Sequence, residues 1–170
     1  GLMIGRTPEF IGKKLEASEM VMSLIVILSP ALLLLMMSSV AISTQAGLSG
    51  LSNPGPHGLS EIVYAYASAS GNNGSAFGGL NADSLFYNLT TSLAMLVGRF
   101  STILPAIAIA GSLAGKKIVP ASTATFPTTG TLFIVMLVSI VIVVGALTFF
   151  PIFTLGPFLE YLLMTAGKTF

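Results

Sequence analysis

The stretch Leu59-Ser60-Glu61-Ile62-Val63-Tyr64-Ala65-Tyr66-Ala67-Ser68-Ala69-Ser70, followed by Gly71-Asn72-Asn73-Gly74-Ser75, decides how this chain folds. Residues 59–70 read as a helix, capped by His57 or Ser60, with Glu61 in its first turn. Such a helix covers only about 18 Å, well short of the roughly 30 Å of a bilayer core. The Gly/Asn cluster at 71–75 then breaks it. A short helix, a break and a return is the outline of a loop that enters a membrane and leaves on the same side.

The composition places that loop in a membrane protein. Of 170 residues, 54% are hydrophobic and 8% are charged. A soluble domain carries about a quarter charged residues, so this chain lacks the polar surface that water requires. The same numbers exclude disorder. A net charge of +1 with no basic stripe excludes nucleic-acid binding. There are no cysteines and one histidine, His57, which excludes disulfides, thiolate metal sites and a histidine cluster. His57 reads as a cap rather than a ligand. No phosphate-binding loop, phosphorylation motif or dinucleotide glycine set is present, so this stretch does not itself hydrolyse ATP. The first residue, Gly1, is not Met, which suggests a segment of something longer.

Outward from residues 59–75 the spans follow. Residues 21–42 are long and apolar enough to cross, with Pro30 expected to kink the helix. Residues 84–113 form the second span, after the capping cluster Asn81-Ala82-Asp83-Ser84. Together residues 21–113 make one helix, pore loop, helix unit: span 21–42, pore helix 59–70, loop 71–75 and span 84–113. A loop over 114–130 precedes a terminal span that starts at Thr131 and closes at Pro151, and a tail completes residues 131–170. Residues 1–20 are polar, and Thr7-Pro8-Glu9 predicts a short interfacial helix over 8–18. Arg6, Lys13 and Lys14 flank the first span, Lys116 and Lys117 end the second, and residues 43–83 carry no Lys or Arg. The head and the 114–130 loop are therefore expected in the cytoplasm, with the C-terminus outside.

Two features carry candidate chemistry. Backbone carbonyls at Asn72, Asn73, Gly74 and Ser75 can replace water around a dehydrated cation, and glycine allows the extended path this needs. The short helix before them would aim its negative end at that cation. An ordinary surface turn has the same composition. Arg99 lies roughly 22 Å along its helix from Ser84, near mid-membrane, where a charge normally faces a cavity or a partner. Glu61 and Asp83 flank the loop and suit either cation attraction or helix capping. One such unit cannot enclose an ion path.

Seven stretches carry a resemblance. Gly5-Arg6-Thr7-Pro8-Glu9-Phe10, Gly12-Lys13-Lys14, Asn53-Pro54-Gly55-Pro56-His57-Gly58-Leu59-Ser60-Glu61, Asn72-Asn73-Gly74-Ser75-Ala76-Phe77, Gly98-Arg99-Phe100, Ala110-Gly111-Ser112-Leu113 and Gly145-Ala146-Leu147-Thr148-Phe149 occur in this order. They resemble the potassium-binding A subunit family of the bacterial Kdp potassium-transporting P-type ATPase. The resemblance covers the last third of that family: its fourth pore repeat and its terminal helix. It implies an all-α membrane fold and a potassium ion selected at Asn72, Asn73, Gly74 and Ser75, with Arg99 beneath. It further implies three other pore repeats in the same subunit. A P-type B subunit would hydrolyse ATP, with C and F subunits completing the assembly in the lipid of the inner membrane. The rival readings are a freestanding homotetrameric cation channel, in which four Arg99 side chains would repel around one axis, and a non-functional fragment.

Overall fold

A computed structural model describes residues 9–120 and 127–168. In order, the elements are β1 (Glu9–Phe10), β2 (Lys13–Lys14), α1 (Ala17–Ser43), α2 (Gln45–Leu48), α3 (Pro56–Ser70), α4 (Leu85–Gly115) and α5 (Thr131–Thr165). Among the described residues, two helices, α1 and α4, are long and apolar enough to cross a membrane. Only 6% and 17% of their most apolar stretches are buried in the protein, so their apolar faces are turned outward, as lipid or further protein requires. The residues fall into two compact units: Gly1–Leu28 with Ser101–Val143, and Ser29–Phe100 with Val144–Phe170.

In the first unit, residues 9–14 form a two-stranded antiparallel hairpin, with Glu9 opposite Lys14 and Phe10 opposite Lys13. This corrects the interfacial helix expected over 8–18; its proposed start at Thr7-Pro8 lies outside the described residues. The turn residues Ile11 and Gly12 both have positive φ, 51° and 70°. Two such residues in succession end a helix and make the tight turn whose twist suits a hairpin. The helix α1 instead begins at Ala17, where the Glu19 carboxyl accepts the Glu16 backbone N–H at 2.7 Å. That is the reach-back half of a capping box.

Glu19 is 1% exposed, and both its oxygens are engaged. Ser112 donates to one. Lys116 Nζ donates to the other at 2.8 Å. Lys116 also meets Glu16 Oε2 at 3.2 Å and the Lys14 carbonyl at 3.1 Å. Lys13 Nζ donates to the Leu113 carbonyl at 2.5 Å, a cation on a helix C-terminus. The hydrogen bond to Glu19 holds the Lys116 ammonium above its usual lysine pKa.

In the second unit the core is Leu34, Ala41, Ile62, Val63, Ala65, Tyr66, Ala69, Leu80, Tyr87 and Ala94. Three small residues let the backbone approach closely. A Cβ on Gly47 would strike the Ala41 carbonyl, one on Gly50 would strike the Tyr87 ring, and one on Gly98 would strike the Ser70 carbonyl. Tyr87 OH donates to the Gly47 carbonyl at 2.7 Å, fixing α2 on α4. Tyr66 OH and Thr90 Oγ1, 2.7 Å apart, fix α3 on α4.

Two helix limits differ from expectation. α3 starts at Pro56, after Gly55 at φ 73°, with no side-chain cap, so Glu61 falls beyond the first turn. His57 pairs instead with Glu160. The expected close of the terminal helix at Pro151 does not occur either, because α5 continues to Thr165. A proline removes one backbone donor, which a membrane-embedded helix can tolerate when neighbouring groups compensate.

Candidate functional site: the loop after α3

α3 ends by a pair of backbone bonds characteristic of a left-handed stop. Asn73 N–H reaches the Ser68 carbonyl at 2.9 Å, and Asn72 N–H reaches the Ala69 carbonyl at 3.0 Å. Asn72 carries the required positive φ of 57°. Asparagine tolerates that conformation better than other residues with a Cβ. Its amide also reaches the Ser70 carbonyl at 3.4 Å.

The chain then turns at Gly74, φ 83°, where a Cβ would meet nothing within 4 Å. Glycine is required there by backbone conformation and not by crowding. Ser75 is the next fixed point. Its N–H donates to Ser68 Oγ at 2.7 Å, and its hydroxyl lies 2.8 Å from Tyr64 OH and 3.1 Å from Ser68 Oγ. The Phe77 ring stacks on Tyr64, with centroids 4.4 Å apart. Leu80 N–H closes a turn on the Phe77 carbonyl at 3.1 Å.

The direction of these bonds matters chemically. Gly71, Asn72, Asn73 and Ser75 all direct their N–H groups back onto α3. Among the described residues, none of the bonds that hold the loop uses the carbonyl oxygen of Gly71, Asn72, Asn73 or Gly74. With the donors engaged, the loop presents acceptors, the hard oxygen ligands that suit an alkali cation.

The structure gives Arg99 a register that spacing alone did not supply. Its neighbour Gly98 is buried against the Ser70 carbonyl, at the point where α3 gives way to the loop. The Arg99 side chain itself is exposed in this chain. Asp83 is exposed too, in the turn before α4. Glu61 is buried, at 4% exposure, and accepts from Asn53 Nδ2 at 2.5 Å.

Sequence reasoning missed the residues that shape the loop: Tyr64, Ser68 and Gly98. The i, i+4 spacing of Tyr64 and Ser68 was a readable signal, since it puts both hydroxyls on one helix face.

The chain matches the family model described as Potassium-transporting ATPase A subunit over residues 1–162. It is 56% identical to the potassium-transporting ATPase potassium-binding subunit of Methylorubrum populi. Identity to the corresponding subunits of Mesorhizobium japonicum and Brucella anthropi is 52% and 54%. Each of these alignments covers the whole chain and 30% of the relative. The chain thus spans about a third of their length, and over that third it belongs to the potassium-transporting ATPase A subunit family.

Proposed function

We propose that this chain forms one quarter of a potassium-selective pore and the terminal helix of a potassium-binding subunit. The backbone oxygens of Asn72, Asn73 and Gly74, with Ser75, replace part of the water around a potassium ion. Three further pore repeats supply the other sides of the ring. The observation that carries this reading is the one-sided use of the loop backbone: the N–H groups of Gly71, Asn72, Asn73 and Ser75 are held by α3, while among the described residues no bond uses the carbonyls of residues 71–74. The C-terminal end of α3 adds a partial negative charge beside the same loop.

Arg99 serves as the control beneath the loop. Gly98 fixes its height against Ser70, and a fixed positive charge there disfavours uncontrolled cation passage. The ion then passes to a P-type B subunit that hydrolyses ATP, in an assembly with C and F subunits. The membrane is a bacterial inner membrane, with residues 1–20 and the 114–130 loop on the cytoplasmic side and the C-terminus outside. The B subunit's hydrolysis is the readout: no phosphate-binding motif occurs in this chain.

The test is potassium-stimulated ATP hydrolysis by the full-length subunit, carrying Gly74→Ala, purified with its ATPase partner. The variant is expected to raise the half-maximal potassium concentration by about tenfold or more, since an L-residue at this φ costs roughly 1–2 kcal/mol and distorts the carbonyl path. An unchanged titration would make residues 71–75 an ordinary outer loop.

A further inference from the structure

Glu61 is a buried polar group that ion selection, as described above, does not use. Its Oε1 accepts from Asn53 Nδ2 at 2.5 Å. Its Oε2 is buried and has no hydrogen-bond partner among the described residues. A half-satisfied carboxyl in a packed core is costly, so something other than stability accounts for its place.

Its neighbours suggest what that is. Gly79 lies so close that a Cβ there would collide with the Glu61 carboxyl and come within 2.7 Å of Asn53 Nδ2. The Gly79 carbonyl also accepts the Ser52 N–H at 2.9 Å, and Asn81 N–H reaches the Gly50 carbonyl at 2.8 Å. Gly79 is therefore a fixed point on the limb that leaves the ion-selecting loop.

Helical periodicity orders the rest. Glu61, Tyr64 and Ser68 recur at i, i+3 and i+7, so they share one face of α3. Along that face the returning limb is held in sequence. Ser68 holds Ser75, Tyr64 holds Ser75 and Phe77, and Glu61 abuts Gly79. The order is antiparallel: as the helix is read backwards, the limb is read forwards. The carbonyl-bearing residues 71–74 are suspended between the end of α3 and this row of contacts.

We infer that Glu61 is a positioning residue for ion selection: its carboxyl fixes the outer limb at Gly79 and thereby sets the path of the loop oxygens. The inference rests on the filter reading of residues 72–75. It assigns Glu61 no contact with the ion.

The experiment measures half-maximal potassium and rubidium concentrations for stimulated ATP hydrolysis, in the full-length subunit with its ATPase partner. Gly74→Ala is carried as the reference. Glu61→Ala is expected to raise half-maximal potassium about tenfold and to narrow the potassium-to-rubidium ratio, as loss of a hydrogen bond to a carboxyl group predicts. Glu61→Gln keeps the shape and the acceptor for Asn53, and is expected to stay within about twofold of the parent. If Glu61→Ala lowers only the yield or the maximal rate while Gly74→Ala shifts the titration, Glu61 is merely structural and the inference fails alone. If neither variant shifts it, the filter reading fails and the inference with it. Should Glu61→Ala not assemble, Asn53→Ala decides. Asn53 is exposed, so its loss removes the donor with little packing cost. A narrowed ion ratio then supports the inference, and an unchanged ratio overturns it.

Discussion

Two buried glutamates divide this molecule by purpose. Glu19 is 1% exposed and Glu61 is 4% exposed. Around Glu19 every oxygen has a donor: Ser112 on one side, Lys116 and the Glu16 N–H on the other. Around Glu61 one oxygen has an amide and the other has no partner among the described residues. The first is a closed polar network, which rigidifies and specifies a structure. The second is open, and it stands behind a loop whose carbonyls its own bonds leave unused. A closed network should respond to mutation in stability and not in ion dependence. An open one should respond in ion dependence first.

The largest effect is expected where the closed network is cut. Glu19→Ala leaves Lys116 with its main partner gone and removes the acceptor for Ser112 and the Glu16 N–H. Removing one member of a buried pair is strongly destabilising. The thermal transition of the purified complex should fall further for this variant than for any substitution in the loop, while the half-maximal potassium concentration of the surviving fraction stays put. A shift in potassium dependence would erase the contrast between the two clusters.

Alkaline titration sharpens the same contrast. Lys116 is held above its ordinary value of 10.5, first by the hydrogen bond to Glu19. A raised folded-state value contributes stability that is present below the unfolded value and lost as pH rises through the folded one. The advantage of the parent over Glu19→Gln should therefore be full below pH 10.5 and fade as pH rises above it. Thermal melts across that range read it directly.

Ser68→Ala opens the loop cluster further and comes next. It removes the acceptor of the Ser75 N–H, which costs about 1–3 kcal/mol if the donor stays buried. Its signature should be a raised half-maximal potassium concentration with little change in melting. Tyr64→Phe removes one hydroxyl contact to Ser75 but keeps the ring that stacks on Phe77. The expected shift is smaller, about 0.5–1.5 kcal/mol.

The two clusters also differ in how far the sequence announces them. The break at Gly71-Asn72-Asn73-Gly74 is plain in composition, because Gly and Asn are the residues that adopt positive φ at low cost. The hairpin is not. Ile11 is β-branched and sits at φ 51°, a conformation its side chain disfavours. Meanwhile Thr7-Pro8-Glu9 imitates a helix start, so local signals pointed the wrong way. A helix that begins at Leu59 makes Glu61 a first-turn acid. The true start of α3 at Pro56, after the positive φ of Gly55, carries Glu61 into the second turn and onto the buried face. The row formed with Tyr64 and Ser68 is visible as spacing, but spacing cannot say what packs on it. The return of the chain to Gly79 and Asn53 is a tertiary fact, and only coordinates supply it. Arg99 shows the same limit: helix rise gives only an expected depth, while its register against Ser70 depends on Gly98 having no side chain.

The smallest effect is expected at Asn72, and it separates conformation from chemistry. Asn72 has φ 57° and closes α3 through its backbone N–H on the Ala69 carbonyl. Its side chain adds one bond, at 3.4 Å to Ser70, too long to contribute much. If its role is to turn the backbone, Asn72→Gly keeps the N–H, the carbonyl and the conformation. The loss of a weak amide contact is then offset by relief of the left-handed strain. The potassium titration should move by less than about twofold, and the melt by a few tenths of a kcal/mol. Asn72→Val should do worse than glycine on both counts, because a β-branched residue strongly resists that φ. The reverse order, with glycine impaired and valine tolerated, would mean that the backbone path described at residue 72 is wrong. The loop would then no longer qualify as the open partner of the Glu19 cluster.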